Sequence, residues 1–389
     1  MKQENTKSTV AMVICDTYDE ETVYEAMGQG VDLLGGIQRF VDPAEKILVK
    51  PNFLSPAAPE SATTTHPAVM RGMFRLLQDA GCQNVLYGDS PGHGSCRSVA
   101  KGLGLETEEL YGAVMADMSQ EVRVDFPEGM TANEFYFAKE VTEADAIINL
   151  CKMKTHSLER VTGAVKNVYG LICGHRKAAG HVKYPNATVF ARALADIHRC
   201  VKPRLHVMDG IVAMEGNGPG SGTPTPMNVL LFSDDPVALD TVFCYLVDLD
   251  PEMVPTNTQG QAMGIGTYQK EKIRVIMPGQ QEISLEEVAR RYGNPDFDVD
   301  RAGVKKSWLS RYSDMMTAIT RRPVIDKEKC IKCGICVSHC PVPGKAIDFK
   351  KGKDQPPVYD YKKCIRCYCC QEMCPQSAIR SRKRKETKK

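Results

Sequence analysis

The sequence predicts an α/β protein, a mainly parallel sheet with flanking helices, followed by a small α+β module rich in cysteine. Two observations lead there. Before residue 303, short apolar runs alternate with helical stretches, the pattern of strands joined by crossover helices. Then half of the 16 cysteines gather into two ordered sets near the carboxyl end, at 330–340 and 364–374. Composition agrees with this division. A chain of 389 residues, 42% hydrophobic and 25% charged, has the make-up of a globular protein able to bury a large core. The net charge of +2 selects no partner, and no apolar run reaches the ~18 residues of a membrane-spanning helix.

Taken in order, the predicted strands are Thr9–Cys15, Lys46–Val49, Asn84–Tyr87, Ala146–Leu150, Leu205–Met208, Asn228–Phe232 and Ile273–Ile276. Helices are expected around Glu20–Phe40, Pro67–Ala80, Asn186–Cys200 and Pro236–Leu246. The opening "MKQENTKSTVAMVICD" has only a short apolar stretch before Asp16, too brief for a signal-peptide core, so the expected compartment is the cytoplasm. The expected organisation is an α/β domain over 1–303, a helical linker over 304–322, a cysteine module over 323–380 and a basic tail over 381–389. The linker carries the one tryptophan, in "VKKSWLSRYSDMMTAI". The tail reads as a solvated, disordered end. It also offers a secondary docking site for an acidic carrier, while no groove-reading or aromatic-rich motif points to specific nucleic acid.

The residues after each strand carry the functional signal. "ILVKPNF" delivers Lys50 and Asn52, and "NVLYGDSPGHGS" delivers Asp89, Ser90 and His93. "AIINLCKMKTH" delivers Lys152, Lys154, Thr155 and His156. "LHVMDGIVAMEGNGPGSG" delivers Asp209, Glu215 and Asn217, and "NVLLFSDDPVALD" delivers Asp234, Asp235 and Asp240. In an open parallel sheet, ligands bind outside the carboxyl ends of the strands, so these exits predict one shared cleft. Between Lys152 and Lys183 lie seven Lys or Arg and three histidines against the single acid Glu159. That density suits a carboxylate or phosphate held by Lys152, Lys154 and Lys166, with Lys50, Asn52 and Asn167 beside them. A solvated basic surface would have the same composition. His156 and His181 are candidate proton donors, since an imidazole titrates near neutrality. A histidine merely bonded to a backbone carbonyl is the plain alternative for each.

On the acidic side, Asp209, Glu215, Asp234 and Asp235 offer oxygen ligands for a divalent metal. For Asp235, followed by Pro236, a helix N-cap is the better reading. The glycine-rich "EGNGPGSGTP" does not open a helix, which argues against a dinucleotide fingerprint and for a mobile lid over the cleft. Cys173 and the other scattered cysteines read as reduced, packed, small apolar residues.

The two cysteine sets read "CIKCGICVSHCP" and "CIRCYCCQEMCP". Cys330, Cys333, Cys336 and Cys340 recur 34 positions later as Cys364, Cys367, Cys370 and Cys374, each set ending in proline. The doubled Cys-x-x-Cys-x-x-Cys-x-x-x-Cys-Pro run resembles the bacterial two-cluster ferredoxins. That resemblance implies two 4Fe–4S clusters with crossed fourth ligands: Cys330, Cys333, Cys336 and Cys374 on one, Cys364, Cys367, Cys370 and Cys340 on the other. Zinc is the rival, but it favours paired Cys-x-x-Cys knuckles over four-cysteine runs. Cys369 is off register and not an expected ligand. "CPVPGKAI" has two more residues than "CPQSAI" between proline and alanine, an insertion placed to change solvent access to the second cluster.

The segments "KPNF", "KMKTHSLERVTGAVKNVYG", "MDGIVAMEGNGPGSG" and "SDDPVALD" resemble domain-of-unknown-function family 362, bacterial and archaeal proteins often fused to a ferredoxin module. The resemblance implies a cytoplasmic iron–sulfur protein, usually of anaerobes, with an α/β domain of unassigned substrate.

The expected function is an oxidoreductase. A low-potential carrier, ferredoxin or flavodoxin, would load the clusters, which reduce an anionic small molecule in the cleft. A flavin would suit such chemistry, but no sequence feature supports one. The alternatives are a non-catalytic electron-transfer subunit that docks a partner enzyme, and a non-redox enzyme whose clusters serve structure or sensing. No membrane association is expected.

Overall fold

The computed structural model describes residues 7–92, 94–105, 110–279, 282–302, 321–350 and 352–383. His93 and most of the expected linker, including its tryptophan, lie outside the described residues, and Arg321 and Arg322 already belong to a strand. The first strands are β1 (Ser8–Ile14), β2 (Lys46–Lys50), β3 (Asn84–Tyr87) and β4 (Val114–Met115). An antiparallel hairpin follows, β5 (Glu121–Asp125) with β6 (Glu134–Ala138). Then come β7 (Ala146–His156), β8 (Arg160–Thr162), β9 (Leu205–Glu215), β10 (Thr223–Ser233) and β11 (Ile273–Ile276). Apart from the hairpin, these strands form one nine-stranded sheet in the order β11-β1-β10-β9-β7-β2-β3-β4, with β8 paired to β7. The pairs β1–β11, β2–β3, β2–β7, β3–β4 and β7–β9 are parallel, whereas β10 and β8 run against their neighbours. The sheet is mainly parallel, as predicted.

Side-chain alternation along the strands feeds two cores. In β1, Ala11 and Val13 join the cluster that contains the helices Glu20–Asp32, Pro67–Asp79 and Ala187–Val201. Val10 and Met12 join the other, with Pro236–Leu246 and Leu285–Tyr292. A strand whose two faces are both covered must be apolar at nearly every position, which is why these strands appear in the sequence as short unbroken runs. Helix ends follow local chemistry. Asp235 accepts from the Val237 and Ala238 amides at 2.9 and 2.8 Å, the N-cap expected of it, with Pro236 in the first turn.

The cysteine module is bounded by an antiparallel pair, β12 (Arg321–Ile325) and the last strand, β15 (Ile379–Lys383). Between them β13 (Ile347–Asp348) pairs with β14 (Val358–Tyr359). The basic end is therefore not wholly a loose tail, because Arg380 to Lys383 pair with the residues that open the module. Residues 384–389 lie outside the described chain.

Candidate functional site

β7 is the strand that builds the site. It runs on past its expected end at Leu150 to His156, buried at all eleven positions. Lys152 and Lys154 therefore sit inside the sheet, on the face that Leu150 shares with the first core. Ammonium groups taken out of water need partners, and each has found a different set. Lys152 lies directly opposite Asp209 on β9 and donates to its carboxylate at 2.7 Å and to the Tyr18 hydroxyl at 2.8 Å. Asp209 also accepts from Tyr18 and from the His66 amide, each at 2.9 Å. Lys50, at the end of β2, uses all three of its donors: the Pro51 carbonyl at 2.7 Å, Asp89 at 2.9 Å and the Asn167 side-chain oxygen at 3.0 Å. Lys154 has only neutral acceptors, Asn52 Oδ1 and the Thr63 carbonyl, both at 2.7 Å. Burial, with Lys166 and Lys152 nearby, pulls its ammonium well below the usual lysine range.

Lys152, Lys154, Asn52, Asp89 and Asn167 line one cavity of about 910 Å³, part of it open to solvent, whereas Lys50, expected to hold the ligand, spends its donors behind that wall. On the α/β side its wall includes Asn52, Lys152, Lys154, Lys166, Asn167, Tyr169, Lys177 and His181. Lys166 lies in the short helix Ala164–Asn167, whose first amides donate to Asp240 at 2.6 and 3.1 Å. Its ammonium has no hydrogen bond or ion pair among the described residues, unlike Lys50, Lys152 and Lys154. Lys177 donates to the Ser90 carbonyl, and burial lowers it to about 8. His181 lies between Tyr169 and Phe190, with its Nδ1 enclosed and unpartnered, and burial lowers it to about 4. Gly170 lets the Lys50–Asp89 pair close beneath this wall. A Cβ there would fall 1.9 Å from Asp89 Oδ1 and 2.5 Å from Lys50 Nζ.

The cysteine module also lines this cavity, through His339, Cys369, Glu372 and Met373. Glu372 accepts from His156 Nε2 at 3.0 Å. His156 Nδ1 in turn accepts the Leu158 and Glu159 amides at 3.1 and 3.0 Å, which fixes the neutral tautomer with its proton on Nε2. Burial would raise Glu372, but the His156 bond and the charges of Lys166, His156 and His181 hold it near 2. The sequence points to His156 as a proton donor. Its imidazole is instead fully enclosed, outside the cavity wall, and it acts as a clamp on Glu372.

The glycine-rich segment expected as a mobile lid is likewise tied down. Gln371 donates to Asn217 Oδ1 at 2.8 Å and to the Gly218 carbonyl at 3.1 Å, and it accepts from Ser157 at 2.6 Å. Asn217 reaches the Ile379 carbonyl at 3.0 Å. The segment is a strap between the two parts of the chain. The acidic residues do not converge either. Asp209 serves Lys152, Asp234 pairs with Arg39 and Glu215 accepts from the Asp298 amide. Among the described residues no group of three His, Cys, Asp or Glu forms a single-metal site.

The cysteine module fits iron–sulfur clusters. Cys330, Cys333, Cys336 and Cys374 wall one apolar pocket together with Ile325, Pro357 and Ile379, a cradle that draws its fourth thiol from the second set. Cys336, Cys340 and Cys370 are buried in the module's small core, with Cys364 and Cys374 packed against it. The insertion after Cys340 leaves the sulfur environment intact. Ala346 N donates to Cys340 Sγ and Ala378 N to Cys374 Sγ, both at 3.3 Å, across six residues in one half and four in the other. Tyr359 adds a contact to Cys370 Sγ at 3.1 Å.

Lys177, Tyr169 and Glu372 are site residues that spacing alone does not single out. Lys177 belongs to the dense basic stretch, which was its only signal. Glu372 reaches the cavity through docking of a distant segment and left none.

Comparison with known proteins agrees with both parts. The model described as "Domain of unknown function (DUF362)" matches residues 47–245, and a 4Fe–4S dicluster model matches 322–375. A thylakoid-associated protein of Synechocystis sp. is 32% identical over 264 residues, covering 66% of this chain and 80% of its own. Among solved structures, the lactate racemase apoprotein of Thermoanaerobacterium thermosaccharolyticum is 13% identical with a TM-score of 0.38, and this chain, covered over 64%, spans 58% of it. A Thermotoga maritima protein is 17% identical with a TM-score of 0.33, covering 55% of this chain and 54% of its own. Both likenesses are too distant to carry a function. Among the described residues no helix is long and apolar enough to cross a membrane. With a mainly parallel α/β domain matched by one model and an iron–sulfur module by the other, the chain belongs to the DUF362 family and carries a fused 4Fe–4S electron-transfer module.

Proposed function

We propose that the protein is an iron–sulfur oxidoreductase that passes electrons from its cysteine module to a small organic anion bound in the cavity. The reading rests on one observation: lysines of the α/β part and residues of the segment bearing the cluster cysteines line the same cavity. Two 4Fe–4S clusters, held by Cys330, Cys333, Cys336 and Cys374 and by Cys364, Cys367, Cys370 and Cys340, would supply single electrons. Lys166 is the principal anion anchor, because among the lysines of the cavity wall it is the one with no hydrogen bond or ion pair to a described residue. Lys152 and Lys154 each keep one N–H unspent on protein partners and add to the field. Lys50, Asn52 and Asn167 hold the frame. Lys177, near 8, is suited to deliver a proton at neutral pH, and His181 offers its ring to the bound anion. His156 works through Glu372. The electron source is a low-potential ferredoxin or flavodoxin. The free, mostly buried state of the remaining cysteines favours a reducing compartment, the cytoplasm.

The test uses anaerobic protein whose clusters have been chemically reduced. It is mixed with a panel of carboxylate- and phosphate-bearing oxidants while cluster absorbance is followed. At least one anion should reoxidise the clusters, and Lys166→Gln should slow that step roughly a hundredfold at equal cluster content. If no anion reoxidises the wild type, or if Lys166→Gln matches it, the reading fails.

A further inference from the structure

The two halves of the cysteine module are backbone twins in opposite surroundings. Lys332 and its counterpart Arg366 both adopt positive φ, 61° and 58°, and so do Gly334 and Tyr368, at 78° and 62°. The second loop, with the helix that follows it, is turned inward: Cys369, Glu372 and Met373 line the cavity and Gln371 grips the strap. The corresponding first loop faces solvent. Ile331 is 59% exposed, among the largest exposed apolar side chains of the chain, and Cys333 is the one exposed thiol among the described residues. Lys327, Lys329 and Lys332 around it are exposed, with no hydrogen bond or ion pair to any described residue. Its counterparts Ile365, Arg366 and Cys367 are all less exposed.

An apolar tip within a rim of uncommitted cations, over a cluster cradle, has the anatomy of a small recognition surface. A cubane held by four thiolates is itself an anion, so an acidic partner approaching it bare would be repelled. The lysines offset that charge. We propose that the loop Cys330–Cys333, with Ile331 at its centre and Lys327, Lys329 and Lys332 around it, is the port where an acidic one-electron carrier protein docks and loads the clusters. In that step the carrier loses one electron and the cluster of Cys330, Cys333, Cys336 and Cys374 gains it. The other cluster then faces the cavity, so the module is polarised from solvent to site.

The experiment follows cluster reduction by a photoreduced acidic flavodoxin in stopped flow, with no oxidant present. It therefore stands apart from the cavity chemistry proposed above. Lys327→Glu/Lys329→Glu and, separately, Ile331→Ser should each slow carrier-driven reduction about tenfold or more while dithionite reduces them like wild type. Raising the ionic strength should erase the deficit of the charge-reversed variant. Lys362→Glu/Lys363→Glu, the same charge change beside the other loop, should leave the rate within about twofold of wild type. An unchanged rate in Lys327→Glu/Lys329→Glu overturns the proposal. So does an equal slowing by Lys362→Glu/Lys363→Glu, which would mean that net charge matters and not this face.

Discussion

Glu159 is, among the described residues, a carboxyl buried with neither oxygen partnered. It sits in the turn after β7, with only the Lys166 charge acting in its favour. Burial pushes it up to about 8 from an ordinary 4.5, so it is protonated in the folded chain at neutral pH. An acid raised on folding stabilises fully below its unfolded pKa, and that stability is lost as pH rises through the folded value. Glu159→Gln should therefore match wild type at pH 5 and exceed it at pH 8 by about 3 kcal/mol, read from anaerobic denaturation midpoints. An equal effect at both pH values would show that the carboxyl is not held neutral. Buried histidines act in the other direction. His66, His156, His181 and His198 are each lowered to about 4 by burial, so they cost stability as pH falls from about 6.5 towards 4. The two windows overlap between about 4.5 and 6.5, with opposite signs, so the Glu159 effect is read from the difference between Glu159→Gln and wild type at each pH.

At the scale of elements, the strap 215–222 decides how the module meets the sheet. Gly218 is needed because a Cβ would fall 2.3 Å from the Thr155 carbonyl oxygen. Gln371, buried at 1% exposure, donates to Asn217 and Gly218 and accepts from Ser157. Gln371→Ala removes these bonds and leaves strap carbonyls unpaired, a loss of about 2–4 kcal/mol in docking. Amide hydrogen exchange over 215–222 should quicken while cluster absorbance stays unchanged. Exchange like wild type would mean that the strap is held by other contacts. Seven strands and the four long helices were legible in the sequence because apolar periodicity is local, while the short strands β4, β5, β6 and β8 were not. The far end of β7 was not, since lysines at 152 and 154 look like a strand exit until Asp209, Asn52 and Thr63 are found waiting for them.

Over the whole molecule, the ligand sets proposed above would tie the two cysteine runs into one unit. Cys374→Ser should damage the same cluster as Cys330→Ser, and Cys340→Ser the same one as Cys364→Ser. The electron paramagnetic resonance spectra of the reduced variants would then sort into those two pairs. Pairing of Cys374→Ser with Cys364→Ser would overturn the crossing. Polarity also belongs to this scale: with the same cysteine spacing, the loop at Ile331 and Cys333 is exposed while Cys369, Glu372 and Met373 of the other run line the cavity, and nothing in the repeat itself says which.

The sequence by itself determined the α/β class, the places of seven of its strands and the cysteine repeat, because each depends on residues within a few positions of one another. Tertiary structure decided which cations stay available. The partners that neutralise Lys50 and Lys152 lie 39 and 57 residues away, and the carboxylate that takes up His156 lies 216 away. Lys166 stays available for a ligand because no described residue makes a hydrogen bond or ion pair with it, and Glu159 and Glu372 feel its charge only across space; a buried charge's role is set by what is opposite it in space.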